Sequence, residues 1–120
     1  MLLVVMELKY KGFDWQSRQD LVEKALSSND AQQICDALYS AAQYESDWEW
    51  SQEQCLKFLN HKEFEVRWAA ALSFGFIALY HRTLDLTKVL PALHAAKNDE
   101  QLAPHIEDSL AMIRQYIKTN

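Results

Sequence analysis

Histidine, cysteine and serine, the side chains most often used as metal ligands or nucleophiles, are scattered along this 120-residue chain. The four histidines are His61, His81, His94 and His105. No two of them are four residues apart, the spacing that would place two metal ligands on one face of a helix. Neither Ser73 nor the cysteines stand beside a histidine that would activate them as nucleophiles. We therefore predict that the chain is not an enzyme and binds no cofactor and no metal.

One other group resembles an acid–base pair, because His105 is followed by Glu107 and Asp108. Charged neighbours at this spacing are common near the start of a helix, where acids complement the helix dipole. A structural role therefore accounts for this group.

Cys35 and Cys55 form no CxxC motif, and both fall within helical patterns. We predict that they are buried, reduced thiols that pack as small hydrophobic side chains. The apolar start from Met1 to Met6 lacks the features of a signal peptide, and the apolar stretch from Val66 to Leu79 is shorter than the ~18 residues of a membrane span. We expect a cytoplasmic protein that does not enter a membrane.

Acids and large aromatic side chains are interleaved between Tyr44 and Glu53. The candidate partner-binding residues there are Tyr44, Glu45, Asp47, Glu49, Trp50 and Glu53. This composition is typical of a surface that binds a basic protein. The chain carries a formal net charge of −5, which disfavours binding to nucleic acid.

A structural explanation of the same segment also stands. Acids at the start of a helix complement its dipole, and Trp48 lies on the stripe that faces the core. Trp50 falls off that stripe and is the better candidate for contact with a partner. Glu63 and Glu65 begin the next helix, so we expect them at the opposite end of the helical pair.

Composition and hydrophobic spacing predict one all-α domain over residues 1–120. Two glycines and two prolines are too few for a β-sandwich or barrel. Residues 1–13 form an N-terminal arm, in which Leu2–Tyr10 fits either a short strand or an extended segment, and residues 14–118 are helical. The predicted N-caps are Asp14, Asp30, Ser46 and Asp85. Gln33 and Glu49 would complete capping boxes with the second and third of these.

The fourth predicted helix, Phe64–Tyr80, determines the expected architecture. Between Val66 and Leu79 only Arg67 and Ser73 are polar, so neighbouring helices must cover this helix on several sides. Trp68 is accordingly expected in the core, and Gly75 is expected where another helix approaches closely. Short connections predict three antiparallel helical hairpins, at 14–44, 46–82 and 85–118.

An internal repeat supports this arrangement. Residues of the fourth predicted helix match residues of the sixth at an offset of about 36 positions. The matched pairs are Val66 with Leu102, Ala70 with Ile106, Phe74 with Leu110, and Ile77 with Ile113. A period of this size built from helix pairs indicates an α-solenoid.

The repeat also resembles a known family. Residues 55–61 followed by Val66 and Arg67 resemble a HEAT repeat, which has Val-Arg at the start of its second helix. Pro91 and Asp99 resemble the proline of a HEAT first helix and the aspartate of its turn, although neither repeat carries every mark. The resemblance covers about 48–117 and implies a HEAT-like α-solenoid. The segment is also similar to small bacterial HEAT-like proteins, some of which are immunity proteins for secreted toxins.

Two functional hypotheses follow from this resemblance together with the size and charge. The first is an immunity protein, monomeric when free, that occludes a basic toxin domain, such as a nuclease, in a one-to-one complex. The second is an adaptor or scaffold that binds a peptide or a regulatory subunit along a solenoid face. HEAT-like DNA glycosylases are disfavoured, because they need a basic groove to hold DNA.

Overall fold

A computed structural model describes residues 18–117 of the chain. They contain six helices and no strand: α1 (Arg18–Leu26), α2 (Ala31–Tyr44), α3 (Trp48–Phe58), α4 (Phe64–His81), α5 (Leu86–Ala96) and α6 (Ala103–Tyr116). The all-α prediction is confirmed. The predictions for the arm at 1–13 and for the cap Asp14 lie outside the described residues.

Two of the predicted N-caps are confirmed. Asp30 Oδ1 accepts hydrogen bonds from the backbone N–H groups of Gln32 (2.9 Å) and Gln33 (3.3 Å). The N–H of Asp30 itself donates to Ser28 Oγ at 3.3 Å, and not to the Gln33 side chain as a complete capping box would require. Asp85 caps α5, where its Oδ1 accepts from the Thr87 N–H at 3.1 Å.

The predicted cap of α3 is wrong by one residue. Asp47, and not Ser46, is the N-cap, and its Oδ1 accepts from the Trp50 N–H at 3.1 Å. The Asp47 N–H donates to Glu45 Oε1 at 3.1 Å, so Glu45 has the role that the sequence suggested for Glu49. Ser46 and Asp47 are both good N-cap residues. The hydrogen bond from the Asp47 N–H to the Glu45 carboxylate favours Asp47 as the first residue of the cap.

Helix α4 occupies the centre of the helical array and packs against α2, α3 and α6. Its buried side chains include Val66, Ala70, Phe74 and Ile77, the residues of the internal repeat. Their partners in the repeat are buried as well: Leu102, Ile106, Leu110 and Ile113. The 36-residue period therefore identifies equivalent core positions in two helical pairs.

Helices α4 and α6 approach closely at Gly75, as predicted. A Cβ atom at this position would lie 2.7 Å from Met112 Sδ, closer than two such atoms can stand. Next to this contact, Ser109 Oγ donates a hydrogen bond to the Ala71 carbonyl at 2.7 Å. A small residue and a polar link together set the distance between the two helices.

One side of α4 is left partly open. Trp68, expected in the core, is 40% exposed, and Leu72, Phe76 and Leu79 are half-buried. Neighbouring helices cover α4 on several sides but leave this one accessible. An apolar sequence therefore did not guarantee complete burial.

Arg67 joins the second helical pair to the third. Its Nε and Nη2 atoms each lie 3.1 Å from Asp99 Oδ2, in the turn between α5 and α6. Its Nη1 donates to the carbonyl oxygens of His61 (2.9 Å) and Lys62 (3.0 Å), in the turn before α4. One partly buried guanidinium thus links the two turns.

Enlarging a fully buried small residue of α4 should destabilise the protein. Ala70 is 0% exposed, so Ala70→Leu should lower the free energy of unfolding by roughly 1–3 kcal/mol through overpacking. Urea denaturation measures this change. Ala111→Leu, on the exposed side of α6, is the matched control and should shift stability by less than about 0.5 kcal/mol. Equal stability of the Ala70→Leu protein and the unmodified chain would contradict the described packing.

Replacing Arg67 by lysine tests the link between the turns. A lysine ammonium lacks the planar fork that reaches Asp99 and two carbonyls together, so Arg67→Lys should cost about 1–2 kcal/mol of unfolding free energy. Lys88→Ala removes an exposed ion pair with Glu53 and should leave the free energy of unfolding nearly unchanged. Similar losses in the two variants would mean that Arg67 is no more than a surface charge.

Candidate functional site

The start of α3 and the start of α5 together enclose a shallow hollow of about 500 Å³. Its lining residues are Asp47, Glu49, Trp50, Gln52, Glu53, Asp85 and Lys88. We call this the acidic hollow, because it has four carboxylates and a single ammonium group among its lining residues.

A buried side chain holds the two walls of the acidic hollow together. Gln52 is 2% exposed, and its Oε1 accepts the Asp85 N–H at 2.7 Å. This bond ties the middle of α3 to the N-cap of α5. The distance between the acids of the two helices is therefore fixed by the fold.

The charges of the acidic hollow are only partly compensated. Lys88 Nζ lies 3.2 Å from Glu53 Oε1, and both side chains are more than half exposed. The hydrogen bond and charge of Glu53, with smaller contributions from Asp85 and Glu49, raise the pKa of Lys88. The pKa of Asp85 is lowered, chiefly by the hydrogen bond from the Thr87 side chain. Both shifts favour the charged forms of these two residues.

The structure brings four of the six predicted partner-binding residues into the acidic hollow: Asp47, Glu49, Trp50 and Glu53. Tyr44 and Glu45 do not line it. Glu45 is 8% exposed and accepts a hydrogen bond at the start of α3, and Tyr44 is half-buried at the end of α2. Trp50 is also half-buried and packs against the core with part of its ring exposed.

Three residues of the acidic hollow were not among the predicted site residues. Gln52 and Lys88 carried no signal in the sequence, and Asp85 was predicted only as a helix cap. Asp85 is 33 residues from Gln52, whose side-chain oxygen accepts the hydrogen bond from its backbone N–H. Only the packing of one helical pair against the next brings these residues together.

The arrangement suits recognition of cations. Exposed carboxylates accept charge-assisted hydrogen bonds from lysine or arginine side chains, and a partly exposed indole adds apolar contact area. Three histidines outside the hollow contact other parts of the protein. His61 Nδ1 accepts the Glu63 N–H (3.0 Å), and His81 Nε2 lies 3.1 Å from the Ala42 carbonyl oxygen. The ring of His105 stacks on Trp68. Within residues 18–117 no three His, Cys, Asp or Glu side chains converge on a possible metal position.

A second groove of about 500 Å³ runs between α3 and α5. Its polar lining includes Arg67 and Asp99, which are bonded to each other, and its walls include Leu56, Ala92 and Leu102. The charged groups of this groove are already used in linking the two turns, so it offers less for recognition than the acidic hollow.

The cysteines have the environment of structural thiols, as predicted. Both are free and buried. Cys35 Sγ–H donates to the Glu65 carbonyl at 3.4 Å, and burial, aided by the charge of Glu65, raises its pKa. Burial raises the pKa of Cys55 to about 12. Neither thiol is activated as a nucleophile.

No protein-family model matches the chain, and no match was found among curated proteins or solved structures. None of the described helices is long and apolar enough to cross a membrane.

The buried thiol of Cys55 predicts a loss of stability in alkali. Its pKa rises from an ordinary 9.0 to about 12 on folding, so only the unfolded chain releases this proton between these values. The free energy of unfolding should therefore fall as pH rises from 9 towards 12, by at most about 1.4 kcal/mol per pH unit for this group. Urea denaturation across this range should show a shallower slope for Cys55→Ala. An unchanged slope would contradict the described burial.

Proposed function

We propose that the chain is an immunity protein, a protein-binding domain that neutralises a bacterial toxin in a one-to-one complex. The observation that carries the proposal is the acidic hollow, where Asp47, Glu49 and Glu53 stand around Trp50. A toxin that cleaves nucleic acid needs lysine and arginine side chains near its active site to hold phosphates. An acidic surface seated on that site excludes the substrate and needs no chemistry of its own.

Electrostatic complementarity would act mainly on the rate and selectivity of association. Exposed carboxylates steer a basic partner towards the complex and disfavour acidic competitors. This effect is screened by salt, because the charges are at the surface. Trp50 would supply the apolar contact that slows dissociation, as aromatic anchors do in other interfaces.

We further propose that the six described helices form a HEAT-like α-solenoid of three antiparallel helical pairs. The contacts support this, because α2, α4 and α6 are successive neighbours, and α1, α3 and α5 each contact the helix that follows. The bond between Arg67 and Asp99 supports it as well, since these are two of the residues on which the resemblance depends. Pro91 lies inside α5, as in a HEAT first helix.

The toxin would act on a substrate in the cytoplasm, and we propose that compartment for this chain too. Its partner is then a basic protein domain, and we expect the free chain to be a monomer. Neither nucleic acid nor a membrane is expected to bind the acidic hollow.

Protection of cells tests the proposal directly. The chain is co-expressed with the toxin domain encoded next to its gene, and survival is scored. We expect rescue by the unmodified chain and by the control Glu23→Lys, which reverses one charge at an exposed position of α1, away from the acidic hollow. Glu49→Lys should slow association and reduce its salt dependence. Failure of the unmodified chain to rescue survival would overturn the immunity assignment.

The contribution of Trp50 needs a matched control, since its ring also contacts the core. Trp50→Ala should speed dissociation from the toxin domain about fivefold or more, equivalent to ~1 kcal/mol. Trp48→Ala removes a half-buried indole of the same helix that does not line the hollow. It should leave dissociation unchanged, and circular dichroism should show normal helix content in both proteins. Equal dissociation rates in the two variants would exclude the acidic hollow as the binding site.

A further inference from the structure

The open side of α4 presents a row of apolar side chains, which we call the apolar strip: Trp68, Leu72, Phe76 and Leu79. Their spacing of four, four and three residues places them on one side of the helix. Trp68 is 40% exposed and the others are half-buried. None of them lines the acidic hollow, so the apolar strip is a separate surface.

Neighbouring helices extend this surface on both sides. On the α2 side, the Tyr39 ring packs edge-on against Phe76, with 6.0 Å between centroids. On the α6 side, His105 stacks on Trp68 at 4.4 Å, and the half-buried Met112 lies against α4 at Gly75. The apolar area therefore spans three helices.

Acidic side chains border the apolar strip on both sides. Glu65, exposed, is three residues before Trp68 and so lies on the same side of α4. Asp36, half-buried, stands one helical turn before Tyr39 on α2, and its Oδ1 accepts a hydrogen bond from Gln32. Asp108, exposed, is four residues before Met112 on α6.

The described helices that form this surface carry few basic side chains. Helix α2 contains no lysine or arginine. Arg67 is bonded to Asp99. Arg82, which follows α4, lies over the Tyr116 ring at 5.0 Å, one helical turn beyond Met112, so one cation stands at the Leu79 end of the apolar strip. The ion pair with Lys97 of α5 lowers the pKa of Glu107, and the charge of Arg114 of α6 adds a smaller contribution in the same direction. Three carboxylates border the apolar strip against the one guanidinium of Arg82, so the net charge of its border is negative.

We propose that the apolar strip binds a basic amphipathic helix of a partner protein. Large apolar side chains of that helix would lie on Trp68, Leu72 and Phe76, and its flanking lysine or arginine side chains would meet Glu65 and Asp108. A row about three helical turns long fits a helical ligand with apolar residues at the same period. The acidic border disfavours an anionic membrane surface and an acidic peptide. The inference is independent of the toxin complex and would give the adaptor hypothesis a specific ligand class.

Two synthetic peptides serve as probes of the apolar strip. Both are amphipathic helices of about 18 residues with leucine on one face; one has lysine and the other glutamate on the flanks. Fluorescence anisotropy with the full chain should show at least about tenfold tighter binding of the lysine peptide. Leu72→Gln should weaken binding of this peptide about fivefold or more, while helix content by circular dichroism stays unchanged.

Charge reversal at exposed positions separates specific recognition from general attraction to an acidic protein. The pair Glu65→Lys and Asp108→Lys should reverse the preference, so that the glutamate peptide binds more tightly. The pair Glu23→Lys and Glu100→Lys changes the net charge equally at exposed positions of α1 and of the turn before α6, and should keep the preference for lysine. Glu49→Lys, in the acidic hollow, should also keep it, which distinguishes this site from the proposed toxin site.

Several results would overturn the proposal. One is equal weakening by the two charge-reversal pairs. Another is no measurable binding of the lysine peptide by the full chain, because the apolar strip would then be covered by the chain itself or by a second copy. Sedimentation as a dimer that Leu72→Gln converts to a monomer would assign the surface to self-association. Binding of vesicles of anionic lipid that Leu72→Gln abolishes would assign it to a membrane.

Discussion

Burial of α4 is the constraint on which the rest of this structure depends. An 18-residue helix with so few polar residues is stable in water only if other helices exclude solvent from most of its surface. Helices α2, α3 and α6 do so, and the contact at Gly75 brings α6 close enough to complete the packing. The remaining described helices, α1 and α5, pack around these four. The positions of the helices around α4 determine both candidate binding surfaces, the acidic hollow and the apolar strip.

The two surfaces differ in the kind of recognition they offer. The acidic hollow is mostly charge, held in place by Gln52, with one indole as its apolar element. The apolar strip is mostly hydrocarbon and aromatic area, with carboxylates only at its borders. Charge at an exposed site governs association rates, whereas buried apolar area governs how long a complex lasts. On the two proposals above, one chain would bind two different partners through separate surfaces.

Local signals predicted the helices well, and the site only in part. Asp30 and Asp85 cap helices because a side-chain oxygen within a few residues satisfies free N–H groups, a relation that is visible in sequence. The repeat from Val66 to Ile113 identified core positions because the spacing of its apolar residues is also visible in sequence. Ser46 was mistaken for a cap because the next residue, Asp47, is an equally good capping residue, and Asp47 accepts the Trp50 N–H while Glu45 accepts the N–H of Asp47. The pairing of Gln52 with Asp85, and the exposure of Trp68, depend on how distant helices pack, which no local pattern encodes.

The contact between Gly75 and Met112 also constrains how this sequence is able to change. No side chain fits at position 75 while the methionine sulfur keeps its place, so the two positions share one volume. A larger residue at 75 becomes acceptable only if the flexible methionine side chain shifts or a smaller residue replaces it. The effects of substitutions at the two positions on stability should therefore be non-additive, although 37 positions separate them along the chain.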